Sequence, residues 1–180
     1  VQLLLASTKS NLSAAMLGLL AAGATAPVLM SQFQDEKEGT SLVAYPDAGG
    51  VWTICGGVTR VDGKPVVKGM QLTRQQCDKI DKAEQAKALA WVEKNVRVPL
   101  PEPQKVGIAS FCPWNIGPGK CLPSTFWRKL NAGDRSGACA EIKRWTYDGG
   151  RDCRIRSNNC YGQVLRRDQE SALACWGRDK

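Results

Sequence analysis

Histidine is absent from this chain of 180 residues, and that absence excludes several kinds of enzyme. No Ser-His-Asp or Cys-His nucleophilic site can form, and no histidine can serve as an acid, a base or a metal ligand. Any proton transfer must therefore use carboxylates, lysine, tyrosine or cysteine.

Closely spaced cysteine pairs are also missing. None of the eight cysteines falls in a Cys-x-x-Cys pattern, which argues against a four-thiolate zinc site, so we expect no metal. An even number of cysteines instead favours disulfides and an oxidising compartment such as a periplasm. Spacing alone predicts two local bridges across turns, Cys112 with Cys121 and Cys153 with Cys160.

A long apolar run of the kind that forms a conventional membrane span is missing too. Residues 10–34 carry no charge, yet the unbroken apolar stretch within them, Ala14 to Ala24, has only 11 residues. Alanine and glycine supply much of its apolarity, and they hold a helix in lipid weakly. Three interpretations stay open: a secretory signal cleaved after Ala26, an ordinary buried helix, and a marginal membrane anchor able to leave the bilayer.

Turn residues divide the remainder into a small β-rich lobe and a larger helical lobe. Residues 41–70 contain glycine-rich turns between short strand-like runs. Thr73 is typical of a helix N-cap, and the apolar residues after it follow a helical period: Ile80, Ala83, Ala86, Ala90 and Trp91. Helices predominate from Gln104 onward, with the last predicted from Gln163 to Trp176. We therefore predict an α+β fold whose two lobes are joined by a long helix.

Two carboxylates and a threonine occupy suggestive positions around the first predicted hairpin. Glu38 closes a predicted helix that stops at Gly39, Asp47 lies in a glycine-rich turn, and Thr53 lies on the returning strand. A helix end facing a hairpin leaves a cleft with a carboxylate on each wall. Glycosidic cleavage needs such a pair, one acid for the leaving oxygen and one group on the other face of the sugar. The alternative is that Glu38 is a solvated helix-end charge and Asp47 a turn former.

The segment from Glu38 to Thr59 resembles the catalytic segment of phage-type lysozymes, glycoside hydrolase family 24, in its Glu-x8-Asp-x5-Thr spacing. The resemblance extends from about Glu36 to Trp176. Because a weakly apolar segment precedes it, the chain is most similar to signal-anchor-release endolysins of double-stranded DNA phages. Further matching motifs follow in order: Trp114-Asn-Ile-Gly117, Ser124-Thr-Phe126, Lys129-Leu-Asn-x-Gly-Asp134, Arg144-Trp145, Gly149-Gly150 and Leu165-Arg-Arg-Asp-Gln-Glu170.

This resemblance implies a lysozyme-like fold and a muramidase. Such an enzyme cuts the β-1,4 bond between N-acetylmuramic acid and N-acetylglucosamine in peptidoglycan, without a cofactor, to lyse the host. It implies that Glu38 is the general acid, and that Asp47 and Thr53 hold the attacking water or stabilise the oxocarbenium-like state. It also implies that Arg166 approaches the catalytic glutamate and that Asn115 lines the cleft. The plainer alternatives are a helix-surface charge for Arg166 and a turn cap for Asn115.

The chain departs from the family at one position near Gly57, where many members have a histidine. That position cannot be needed for the chemistry here, since the sequence offers Cys55-Gly-Gly57 instead. The remaining cysteines match those of close relatives. The resemblance therefore implies bridges from Cys55 to Cys77 and from Cys139 to Cys175.

The resemblance also implies two parts of the chain and a route to the periplasm. Residues 1–34 would be a signal-anchor-release helix, and residues 35–180 the catalytic domain, with a β-rich lobe at about 41–70 and a helical lobe at about 72–180. Lys9 precedes the uncharged segment, which favours a cytoplasmic N-terminus and an enzyme body in the host periplasm. The enzyme would first be tethered to the host inner membrane and then be released.

The formal net charge of +8 suits a polyanionic target such as peptidoglycan. The basic residues are interleaved with acids and no nucleic-acid motif occurs, so we expect no nucleic-acid partner, and we expect a monomer. One rival function is a lytic transglycosylase, which would use a single acid and leave a 1,6-anhydro product. A second rival is a non-catalytic, disulfide-rich module that binds the cell wall.

Overall fold

Two clusters of buried apolar side chains organise the protein. The computed structural model describes residues 11–177. The larger cluster lies among the helices, and the smaller one lies beneath the β-rich segment. The predicted α+β architecture, with a small hairpin lobe and a larger helical lobe, is confirmed.

The uncharged N-terminal segment forms two helices where one was expected. Helix α1 spans Ala14–Ala21 and helix α2 spans Ala26–Glu38. The chain turns between them because Gly23 adopts a positive φ of 70°, and because Pro27 has no N–H and suits only the first turn of a new helix. The expected boundary between residues 34 and 35 therefore falls inside α2. That helix ends at Gly39, with φ 62°, as the sequence predicts.

Both N-terminal helices pack into the large core. Met16 and Leu29 are fully buried there, together with Met30 and Phe33. Within residues 11–177, every helix is too short or too polar to cross a membrane. Of the three interpretations of this segment, a buried helical element is the one that this structure displays; Lys9 lies outside the described residues.

The β-rich lobe consists of two small antiparallel hairpins. Strand β1 (Ser41–Pro46) pairs with β2 (Trp52–Cys55), and Tyr45 stands opposite Thr53. Strand β3 (Arg60–Val61) pairs with β4 (Lys64–Pro65). The loop between β3 and β4 is Asp62-Gly63, and both residues have positive φ, as a tight hairpin turn requires.

The long connecting helix α3 spans Arg74–Asn95 and begins at Thr73, as predicted. The Thr73 hydroxyl accepts the Gln76 N–H, and the Gln76 side chain accepts the Thr73 N–H, which completes a capping box. The apolar face inferred from the sequence is wrong in part, because Ala83, Ala86 and Ala90 are exposed. The buried face lies to one side of them and includes two polar residues: Cys77, Asp81, Gln85, Ala88, Leu89 and Val92.

The helical lobe brings helices α4 and α8 into close contact. Helix α4 (Glu102–Ala109) continues into a π-helical turn over Ser110–Ile116, and α8 spans Tyr161–Ala174. A Cβ at Gly107 would lie 2.5 Å from the Glu170 carbonyl oxygen, so only glycine allows this approach. The other elements are α5 (Pro118–Cys121), α6 (Thr125–Asn131), α7 (Arg135–Ile142), β5 (Tyr147–Asp148), β6 (Arg151–Asp152) and a short 3-10 helix (Arg156–Asn158).

All eight cysteines form disulfides, and the expected pairing is confirmed. The bridge between Cys55 and Cys77 ties the first hairpin to the long helix, and the other three staple the helical lobe. These are Cys112–Cys121, Cys139–Cys175 and Cys153–Cys160.

Candidate active site

Glu38, the last residue of α2, lies against a guanidinium group from α8. Nη1 of Arg166 donates to Oε1 of Glu38 at 2.5 Å. The Glu38 side chain keeps 26% of its surface exposed, against 9% for Arg166. The loop after β2 approaches from another side, since a Cβ at Gly57 would lie 3.6 Å from Oε2 of Glu38. A solvent-reachable carboxylate therefore stands where α2, α8 and the first hairpin meet.

Behind this ion pair lies a buried polar network centred on Glu170, whose side chain is fully buried. Oε1 of Glu170 accepts from Nε of Arg166 at 3.1 Å and from the Ser110 hydroxyl at 2.6 Å. Oε2 accepts from Arg167. Nη2 of Arg166 also donates to Oε1 of Gln34 at 3.2 Å. The Arg166 guanidinium is thus held by α2 and by its own helix at the same time.

The two neighbouring arginines differ in their electrostatic surroundings. Burial acts to lower the pKa of Arg166, but the carboxylates of Glu170 and Glu38 raise its pKa above the ordinary value. Burial lowers the pKa of Arg167, and Glu170 only partly offsets this effect. The difference arises because Arg166 faces two carboxylates whereas Arg167 shares only one of them.

Asn115 lies at the other end of the same network. Nη2 of Arg167 donates to Oδ1 of Asn115, and Nε of Arg167 donates to the Trp145 carbonyl at 3.1 Å. The Arg167 guanidinium also lies 5.2 Å from the centre of the Phe111 ring. Because Asn115 itself is exposed, the buried network reaches the surface at Asn115 as well as at Glu38.

Asp47 and Thr53 both form hydrogen bonds with the backbone of Val51. Oδ1 of Asp47 accepts the N–H groups of Gly49 and Val51, each at 2.8 Å. The buried Thr53 donates its hydroxyl to the Val51 carbonyl at 3.0 Å. Among residues 11–177, no group donates a hydrogen bond to Oδ2 of Asp47. One oxygen of Asp47 therefore fixes the hairpin turn while the other stays open to solvent.

The structure arranges the five predicted site residues in two groups. Glu38 contacts Arg166 directly and is linked to Asn115 through the arginine network, whereas Asp47 and Thr53 lie on the hairpin. Within residues 11–177, neither hairpin residue hydrogen-bonds to Glu38. Sequence reasoning missed four members of the network: Gln34, Ser110, Arg167 and Glu170. The spacing of Arg166, Arg167 and Glu170 offered a signal, because residues three or four apart on a helix face one another.

The loop around Gly57, where many phage-type lysozymes have a histidine, contacts the long helix α3 through the backbone of Gly56. The Gly56 N–H donates to Oδ1 of Asp81 at 3.0 Å. A Cβ at Gly56 would lie 2.9 Å from Oδ2 of Asp81, so glycine allows the loop to press against α3. Burial raises the pKa of Asp81, although the Gly56 N–H acts in the opposite direction.

Comparison with known proteins identifies the family. The family described as Phage lysozyme matches residues 35–170. The SAR-endolysin of Escherichia phage 933W is 69% identical over 94% of this chain and 96% of its own length. A probable prophage lysozyme of Escherichia coli is 66% identical over 93% of this chain and 94% of its own. The solved endolysin of the Escherichia coli phage FAHEc1 is 31% identical, with a TM-score of 0.67 over 81% of this chain and 89% of its own. The chain therefore belongs to the phage lysozyme family and is a glycosidase of the lysozyme type.

Proposed function

We propose that this protein is a phage endolysin that hydrolyses the β-1,4 bond between N-acetylmuramic acid and N-acetylglucosamine in the peptidoglycan of the host. Family membership supports a lysozyme reaction. The observation that carries the assignment of the acid is the position of Glu38, whose carboxylate is oriented by a buried arginine yet keeps 26% of its side chain exposed.

In the proposed reaction, protonated Glu38 gives its proton to the glycosidic oxygen as the bond to the anomeric carbon breaks. A water molecule attacks that carbon from the other face, and the open Oδ2 of Asp47 takes its proton. Thr53 holds the water or stabilises the oxocarbenium-like state from the same hairpin. Two hydrogen bonds from the turn to Oδ1 of Asp47 support this role, because they fix the carboxylate without occupying its second oxygen.

Analysis of the products released from purified peptidoglycan tests this proposal. Hydrolysis creates a reducing N-acetylmuramic acid end, whereas a lytic transglycosylase leaves a 1,6-anhydro end that is lighter by one water molecule. A non-catalytic wall-binding module would release neither product. Reducing muramic acid ends from the wild-type protein support the muramidase assignment, and anhydro ends or no release contradict it.

We further propose that the N-terminal segment first lies in the host inner membrane and later packs onto the enzyme as α1 and α2. The name of the relative from phage 933W, SAR-endolysin, supports this order of events. Helix α2 supports a link to activity, since it runs without a break from Ala26 to the catalytic Glu38. A membrane-bound α2 would hold Glu38 at the bilayer surface, away from Arg166, so the enzyme would stay inactive until release.

Leucine substitutions in the N-terminal segment test the release step. Gly18, Ala21 and Ala22 are exposed in the packed structure, and a Cβ at Gly18 would meet no neighbour within 4 Å. Changing all three to leucine should leave the melting temperature of the purified protein near the wild-type value, but keep the protein in the membrane fraction and delay lysis. Lysis on the wild-type schedule would contradict a membrane-bound stage.

A further inference from the structure

We propose that Glu170 is a positioning residue for the muramidase reaction. Its one buried carboxylate holds Arg166 against the catalytic Glu38 and Arg167 against Asn115. Through these two arginines, the buried Glu170 fixes the positions of both the catalytic acid, Glu38, and the exposed cleft residue, Asn115. This inference rests on the proposed function, because it assumes that Glu38 is the acid.

The geometry shows how one residue can set both positions. The two oxygens of Glu170 are divided between the arginines, since Oε1 accepts from Arg166 at 3.1 Å and Oε2 accepts from Arg167. The guanidinium of Arg166 is a rigid planar fork. Its Nε is fixed by Glu170, while its Nη1 lies 2.5 Å from Glu38. A shift of the Glu170 carboxylate would therefore shift the rigid guanidinium of Arg166 and, with it, the hydrogen bond to Glu38.

Glu170 is itself held in place by the π-helical turn that follows α4. The Ser110 hydroxyl donates to Oε1 of Glu170 at 2.6 Å and lies 3.5 Å from Nη2 of Arg166. Ser110 follows directly on α4, which reaches α8 only because Gly107 has no side chain. All three partners are buried, with 0% of the surface of Glu170 and Ser110 and 8% of that of Arg166 exposed. The close packing of α4 against α8 thus helps to hold the Glu170 carboxylate in its position.

Charge explains why a carboxylate is needed at this place. With Glu38 ionised, two carboxylates balance the two guanidinium groups. Glu38 acts as an acid only when protonated, and Glu170 is then the one carboxylate in direct contact with either guanidinium among residues 11–177. Without Glu170, two buried cations would face each other at low dielectric, and each would turn toward water or toward Glu38.

The decisive experiment measures the kinetics of Glu170→Gln with purified peptidoglycan. The amide keeps the shape of the side chain but removes its charge. We expect kcat to fall about 10- to 100-fold, the scale of a small misplacement of a reacting group, with KM changed by no more than about twofold. The control is Glu141→Gln, because Glu141 is another largely buried carboxylate with two cationic partners, Lys129 and Arg144. It should keep the wild-type kcat.

A double-mutant cycle separates positioning from a general loss of structure. If Glu170 acts through Arg166, then Glu170→Gln should lower kcat much less in an Arg166→Gln background than in the wild-type background. Wild-type kcat in Glu170→Gln, or equal losses in both backgrounds, overturns the proposal. Should Glu170→Gln fail to fold, Ser110→Ala decides: a reduced kcat in a folded protein supports positioning, and an unchanged kcat overturns it. A wild-type protein that releases no product would instead contradict the proposed function.

Discussion

The backbone N–H of Ala26 donates a hydrogen bond to Oε2 of Glu102 at 2.7 Å. This bond joins the first turn of α2 to the first turn of α4, two segments 76 residues apart in the chain. A carboxylate is well placed there, because the first N–H groups of a helix have no partner within the helix. The N-terminal segment is therefore fastened to the helical lobe by a group that loses its charge in acid.

The first prediction concerns acid stability. The Lys105 ammonium and then the Ala26 N–H lower the pKa of Glu102 below its ordinary value of 4.5. Because the folded pKa lies below the unfolded one, the stabilisation is present above pH 4.5 and is lost as the pH falls through the folded value. Glu102→Gln should therefore lose less stability than the wild type on acidification below that pH.

Denaturant unfolding over a series of pH values measures this effect. Glu84→Gln is the control, since Glu84 pairs with Lys87 at the surface of α3 and hydrogen-bonds to neither Ala26 nor Lys105. It should follow the wild-type curve. Superimposable pH dependences for Glu102→Gln and the wild type would show that the junction does not titrate.

The second prediction tests the packing of the N-terminal segment. Met16 is fully buried in the main core, whereas its neighbour Leu17 is 39% exposed. Met16→Ala should lower the free energy of unfolding by about 2–4 kcal/mol through lost burial and a cavity. Leu17→Ala should cost less than about 1 kcal/mol. Equal effects in thermal unfolding would mean that α1 does not pack as described.

The third prediction concerns Glu38, the proposed catalytic acid. Glu38→Gln should reduce turnover of peptidoglycan at least about 100-fold, since general acid catalysis contributes at least that factor. The melting temperature should change little. Glu36→Gln is the matched control, because the exposed Glu36 lies two residues earlier on α2 and accepts hydrogen bonds only from Ser13 and Gln32 among residues 11–177. Near-normal turnover in Glu38→Gln would remove Glu38 from the mechanism.

The fourth prediction concerns Asp81, whose ionisation should lower the stability of the protein, whereas that of Glu102 should raise it. Burial raises the pKa of Asp81 above its ordinary value of 3.8, so ionisation of Asp81 costs stability as the pH rises through that value and beyond. Asp81→Asn keeps an acceptor for the Gly56 N–H and removes the charge. It should be more stable than the wild type near neutral pH, and the gain should vanish in acid.

The control for that measurement is Glu84→Gln on the same helix, where the glutamate pairs with Lys87 at the surface. It should bring no gain at neutral pH. If Asp81→Asn is less stable than the wild type at neutral pH, the Gly56 hydrogen bond needs the full charge of the carboxylate.

Local features of this protein were predictable from the sequence because their causes lie within a few residues. Thr73 and Gln76 close a capping box within one turn, and Gly39 ends α2 by its own backbone freedom. The same holds for the Asp62-Gly63 turn. The spacing from Glu38 to Thr53 indicated the family because a helix end and one hairpin carry those residues in a fixed order.

The tertiary structure alone decided which residues were buried. The sequence placed Ala83 and Ala90 on the apolar face of α3, yet both are exposed while Asp81 lies inside. Alanine buries little area and therefore orients a helix weakly, whereas the Gly56 N–H gives the aspartate a buried partner. The network around Glu170 has the same origin. Its charged pairs lie within α8, but α2 and the π-helical turn supply the remaining partners, and buried charges are stable only when all of their hydrogen-bonding groups are satisfied.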